Sequence, residues 1–209
     1  MNYVGFNDFR DALMPHLPGA NPEAVKSTFL LRAQDFYRGS RSWRELLGGF
    51  VLPTDGHLQV WLQPVDDKAD IAYVENVWWA NAGEPQALGG NGQQVPWRVN
   101  NGHDLLVWAG NNDNPGSRVL WAEVSCTPTA RQHDPLLPPH ALTHHRDTLV
   151  SGVLAVMFAS PKKPYTDFNS ASLHERRFVQ GIAKWKATTD RGYASVSLRA
   201  SARVNVPMR

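Results

Sequence analysis

The side chains with chemical reach fall into a few small groups. His140 and His144 lie four residues apart with Asp147 three further on, so a helix would set all three on one face, as metal ligands can be arranged. His145 would sit about 100° around that helix and could not join them. No other His or Cys has a spacing that nominates it as a fourth ligand, so a solvated polar face is the favoured reading and no metal is expected. Asp66, Asp67 and Asp70 suggest a cation site or a carboxylate pair, but they lack the glycine and distal glutamate of a calcium loop. A charged turn between strands needs no function. Cys126, the single cysteine, lies in a strand-like run, where a small buried side chain is usual, and no Gly-x-Ser-x-Gly elbow is present. Gly89-Gly90-Asn91-Gly92 has no lysine and no helical pattern after it, so it offers no cradle for phosphate. These groups form no catalytic constellation, and a non-enzymatic protein without cofactor is expected.

Six of the eight tryptophans, Trp61, Trp78, Trp79, Trp97, Trp108 and Trp121, fall between residues 50 and 134. On one strand Trp78 and Trp79 point to opposite faces, so at least one is expected to leave the local core. Exposed aromatic rings favour a sugar-stacking platform or a protein interface; the competing reading is that a small β region uses large residues to fill few core positions. The segment from Asp190 to Arg209 carries Arg191, Arg199, Arg203 and Arg209 against Asp190 alone, and Val196, Leu198, Val204 and Val206 are too sparse for a core helix. It reads as an extended basic arm that orders on a partner, or as a plain disordered tail.

The elements that must position these groups follow from the periodicity. Phe6, Phe9 and Leu13 mark a short amphipathic helix closed by Pro15 and Pro18. Asn21-Pro22 is an N-cap with proline at the first helical position, followed by Val25, Phe29, Ala33 and Phe36 towards Trp43. After Pro138-Pro139, Leu142, Leu149, Val153 and Val156 or Met157 share the face of a third helix, stopped by Pro161 and Pro164. Ser172 with Glu175 resembles the capping box of a fourth, with Phe178, Ile182 and Trp185 as its buried stripe. The short connection makes the third and fourth antiparallel neighbours. Gly152 and Gly181 lie within them, each costing about 1 kcal/mol relative to alanine, a cost that a close helix crossing would offset. From about residue 50 to 134 the period becomes twofold: Leu58, Val60 and Leu62 alternate with His57, Gln59, Trp61 and Gln63, residues 71 to 80 alternate likewise, and Leu105 to Ala109 and Val119 to Val124 are short apolar runs between turn clusters. The expected fold is α+β: a four-helix bundle over residues 1–49 and 135–189, an inserted antiparallel β domain over 50–134, and an extended C-terminal arm over 190–209.

Composition agrees. The 209 residues are 42% hydrophobic and 19% charged, with a net charge of +2, which excludes a disordered acidic chain and makes no global case for nucleic-acid binding. The longest apolar run, Gly152 to Ala159, is far short of a membrane span, and Met1 to Arg10 lacks the pattern of a secretory signal. With one cysteine no intrachain disulfide forms. A soluble protein of a reducing compartment is expected.

Ala33-Gln34-Asp35-Phe36-Tyr37-Arg38-Gly39-Ser40-Arg41-Ser42-Trp43-Arg44-Glu45 resembles the second-helix signature of the head-to-tail adaptor (head completion, connector) proteins of tailed bacteriophages, in which an aromatic pair is followed by Arg, Ser or Thr, and Trp. Similar features continue in order through Leu142 to Met157 with Gly152 internal, Pro161-Lys162-Lys163-Pro164-Tyr165, Phe178 with Gly181-Ile182, and Arg191-Gly192-Tyr193. They cover most of the helical parts. The resemblance implies a structural virion protein made in the host cytoplasm and sited in the neck. It would be a homo-oligomeric ring, commonly of twelve copies, bound to the portal protein and, on its other face, to a tail tube or nozzle protein. DNA would pass through its channel without sequence-specific binding, and no membrane would be involved. Carried onto this chain, the portal-binding arm would comprise Arg191, Tyr193, Leu198, Arg199, Arg203 and Arg209, and Trp61, Trp78 and Trp79 would serve a tail or subunit interface. Two alternatives from other classes are a carbohydrate-binding or other binding module with an exposed tryptophan platform, and a hydrolase using Asp66, Asp67 or His103 as acid and base.

Overall fold

The structure is a computed structural model, and it describes residues 3–51, 57–64, 67–81, 92–100, 104–108, 118–132 and 134–192. The fold is α+β, with antiparallel strands inserted between helical segments. Helix α1 (Asn7–Leu13) buries Phe9 and Leu13. Helix α2 (Pro22–Ser40) starts as its sequence dictates: the Asn21 side chain accepts from the Glu23 N–H at 3.0 Å, and Pro22 occupies the first turn. Its spaced apolar residues Val25, Phe29, Ala33, Phe36 and Tyr37 are all buried, each large one contributing about 1.5–3 kcal/mol.

The helix ends earlier than the spacing towards Trp43 suggests. Arg41 adopts the left-handed conformation at φ 54° and its N–H returns to the Tyr37 carbonyl at 2.9 Å, while the Ser40 and Ser42 hydroxyls bond each other at 2.9 Å. Such local side-chain bonds compete with helix continuation. The chain then enters β1 (Arg44–Val51), so the strand layer begins at Arg44, within the stretch that reads as helical bundle.

Sheet one has the order β1-β7-β3-β4, with β3 (Ala69–Asn81) and β7 (Arg118–Pro128) as its long central pair and β4 (Gln93–Gln94) at one edge. Sheet two has the order β2-β6-β5, from β2 (His57–Trp61), β6 (Asp104–Trp108) and β5 (Trp97–Asn100). All named pairings are antiparallel. The alternation in β2 holds: Val60 and Leu62 are buried, while Gln59, Trp61 and Gln63 are exposed. One buried cluster runs through both sheets and the helices, from Val60, Leu105 and Val107 through Trp79, Leu120 and Val124 to Phe36 and Phe178. The helices and the β region therefore share a core.

The third predicted helix is interrupted. Helix α3 (His140–Thr143) stops at His144, and α4 (Arg146–Phe158) starts after His145. Helix α5 (Phe168–Asp190) begins a turn before the expected capping box: Asp167 is the N-cap, accepting from the N–H groups of Asn169 and Ser170 at 3.0 and 3.1 Å. Ser172 lies inside the helix with its hydroxyl on the Phe168 carbonyl, and Glu175 instead pairs with Arg32 of α2. Helices α4 and α5 are antiparallel neighbours, since Gly152 packs on Phe178 while Gly181 packs on Thr148.

Candidate functional site

The tryptophans separate sharply. Trp61 is 60% exposed, but Trp78 and Trp79 are 0% and 6% exposed, so the expectation that one of the pair leaves the core is not met. The two rings do face opposite sides of β3, and both sides are covered there. Trp79 joins the shared cluster. Trp78 lies opposite Trp121 on β7 and against Gly92, where an added Cβ would come within 2.1 Å of the Trp78 ring. Gly48, opposite Trp121 on the other side, leaves the same room for that indole, again 2.1 Å from an imagined Cβ. Only residues without a side chain let two indoles lie side by side on this face.

The histidines also part company with the helical reading. His144 and Asp147 are exposed, on either side of the break between α3 and α4. His145, expected to point elsewhere, is the buried one at 1% exposure. Its ring centroid lies 4.5 Å from Trp185, 4.8 Å from Phe36 and 5.0 Å from His140, with the Tyr37 hydroxyl 3.4 Å from its Nδ1. Burial, reinforced by the neighbouring imidazoles, holds His145 down at about 3 and His140 at about 4. Both rings are therefore neutral near pH 7 and act as packing groups. Among the described residues no group of three His, Cys, Asp or Glu could hold a metal ion. Cys126 is buried, and burial with the adjacent Glu45 carboxylate pushes its thiol up, away from a nucleophilic thiolate.

Of the aspartates, Asp67 and Asp70 border a cavity of about 420 Å³ with Trp61, Gln63, Thr129 and Arg131. Asp66 and His103 lie outside the described residues, as do Tyr193, Leu198, Arg199, Arg203 and Arg209 of the expected arm. Arg191 is exposed immediately after α5. The root of that segment faces a network of charges on sheet one. The Asp190 carboxylate stands 4.0 Å from Arg44, and Arg44 donates to the buried Glu123 at 2.6 Å. Arg41 pairs with Glu75 at 3.1 Å and lies over the Tyr73 ring, while the Ser125 hydroxyl donates to Glu75 at 2.7 Å. Charge spacing along the chain does not reveal this network, because its partners are brought together by the β1-β7-β3 register.

A different surface lies on the helical layer. Phe168 and Val179 of α5 are 60% and 55% exposed, and Leu31 of α2 is 61% exposed. Phe168, Ser172, Glu175 and Val179 recur at intervals of four, three and four, which align on one face of α5. Beside them runs a groove of about 540 Å³ that includes Val156, Ala159, Pro161 and Ala171. No helix among the described residues is long and apolar enough to cross a membrane. No protein-family model matches the chain, and no curated protein matches it.

Proposed function

We propose that this chain is a non-enzymatic structural protein of the tailed-phage neck, in which copies close a ring between portal and tail. The observation that carries the reading is the exposure of Phe168 and Val179 on one face of α5, with Ser172 and Glu175 between them and Val156 of α4 alongside. Exposed apolar groups aligned on one helix face are what a heterologous subunit contact buries. The pair of Asp190 with Arg44 at 4.0 Å supports the same reading, since it sets the end of α5 beside sheet one, from where the proposed portal-binding arm would extend. Many weak contacts in parallel around the ring would then make attachment effectively irreversible. The buried, neutral histidines and the inert thiol fit a role in which side chains pack rather than react.

Cryo-electron microscopy of the intact particle tests the proposal. A symmetric ring of this chain, with this face of α5 against neighbouring copies and residues 191–209 on the portal, is the expected result. Absence of the chain from the neck would overturn it.

A further inference from the structure

The cavity bordered by Trp61 lies where sheet two hands the chain to sheet one, between the end of β2, the start of β3 and the residues after β7. We propose that it is a binding site for a neutral saccharide of mono- or disaccharide size. At about 420 Å³ it falls within the roughly 300–1,000 Å³ typical of small-ligand sites.

The lining decides the ligand class. Asp67 and Asp70 are acceptors only when ionised, and Arg131 is a donor only. An anion entering here meets two carboxylates, which disfavour it. The carboxylates and the guanidinium together set acceptors beside a donor, which suits a polyhydroxylated neutral ligand, because each hydroxyl both donates and accepts. The Gln63 amide and the Thr129 hydroxyl add groups able to do both. Trp61 supplies the remaining requirement. Its indole, 60% exposed, offers a flat amphipathic surface for the C–H face of a pyranose ring.

The site is also preorganised, which reduces the ordering cost of binding. Trp61 is held by its pairing with Asp104 on β6, and Asp70 by its pairing with Thr127 on β7. The Thr129 N–H donates to the Lys68 carbonyl at 3.1 Å, and the Arg131 N–H to the Thr129 hydroxyl at 3.3 Å. The backbone that carries Asp70, Thr129 and Arg131 therefore stands on sheet ends and the turn after β7. Saccharide binding at this cavity is independent of where the protein resides and of whether its copies form a ring.

The test is isothermal titration of the full chain with maltohexaose, cellohexaose and chitohexaose, with a sulfated heparin hexasaccharide as the charged comparison. At least one neutral oligosaccharide is expected to bind with Kd in the range of about 0.1–5 mM, and the sulfated one more than about tenfold more weakly. Trp61→Ala and Asp70→Asn should each weaken binding by about tenfold or more. Trp108→Ala should not, because Trp108 pairs with His57 at the opposite end of the β2–β6 ladder and does not border the cavity. The thermal midpoint of Trp61→Ala should fall by no more than about 4 °C, since that side chain is 60% exposed. The inference is overturned if no neutral oligosaccharide binds below about 10 mM, if the sulfated ligand binds best, or if Trp61→Ala leaves affinity intact.

Discussion

Replacing Gly181 with alanine pits helix propensity against packing. On an exposed helix the change would stabilise the protein by about 1 kcal/mol. At this position the new Cβ would lie 2.3 Å from Thr148 Cγ2, 2.5 Å from its hydroxyl and 3.0 Å from its Cβ. The branched Thr148 side chain, on the facing helix α4, can rotate away one of its γ atoms but not both, so α4 and α5 must part. Overpacking of this kind costs about 1–3 kcal/mol. The packing cost offsets or outweighs the propensity gain, leaving a net loss of up to about 2 kcal/mol and a thermal midpoint lower by up to about 8 °C for a chain of this length. A double-mutant cycle in urea isolates the cause. Thr148→Ala removes both γ atoms, so Gly181→Ala added to it should cost less than about 0.5 kcal/mol, with a coupling energy of about 1 kcal/mol or more. If Gly181→Ala alone raised the midpoint, or if the cycle closed without coupling, the close crossing would not be what accounts for this glycine.

Acid should unfold the protein through its paired imidazoles. Both His140 and His145 sit below their unfolded value of 6.5, at about 4 and about 3. Their contribution is thus complete above pH 6.5 and is lost as pH falls towards those values, on the order of a few kcal/mol at 1.36 kcal/mol per unit. Urea titrations at pH 7.5 and pH 4.5 should show that loss, and His145→Phe should reduce it; an unchanged pH slope in the variant would locate the effect elsewhere. Arg44→Ala removes the guanidinium that donates to the buried Glu123 carboxylate and should destabilise by about 1.5–3 kcal/mol in chemical denaturation. Asn21→Ala removes the α2 cap and should cost about 1 kcal/mol by the same assay. On the neck reading, deletion of residues 191–209 should abolish co-purification with the portal.

Sequence patterning was most informative where structure is locally determined. Asn21-Pro22 and the recurring Val25, Phe29, Ala33 and Phe36 specify α2 without help from the rest of the chain. The α+β class follows from the change of period alone. Strand β1 was not legible, since Leu46-Leu47-Gly48-Gly49 has neither period clearly and takes its strand character from pairing with β7, some seventy residues away. The gap between α3 and α4 carries no glycine or proline at His144-His145. It exists because His145 turns into an aromatic nest formed by Phe36, Tyr37 and Trp185. A helical projection of one segment cannot anticipate a break whose stabilisation comes from two other helices.

The same division between local and long-range information explains the tryptophans. Alternation correctly puts Trp78 and Trp79 on opposite faces of β3, but exposure depends on what covers each face. Gly48 and Gly92 are the unobtrusive residues that decide this, by leaving room for Trp121 and Trp78. Trp61 remains exposed for the complementary reason, as the outward member of a strand whose inward members Val60 and Leu62 are buried. Its place beside Asp67, Asp70 and Arg131 was hidden in the sequence, because Arg131 lies about seventy residues beyond Trp61 and reaches the cavity only through the β3–β7 ladder. A polar cavity with an aromatic edge therefore forms where the end of β2 meets the β3–β7 ladder of sheet one, while the exposed Phe168 and Val179 lie on α5. Subunit contact and ligand binding would thus use separate surfaces, and substitutions at Trp61 and at Val179 should affect saccharide affinity and ring formation independently. A loss of both activities from either substitution would show that the two surfaces are one.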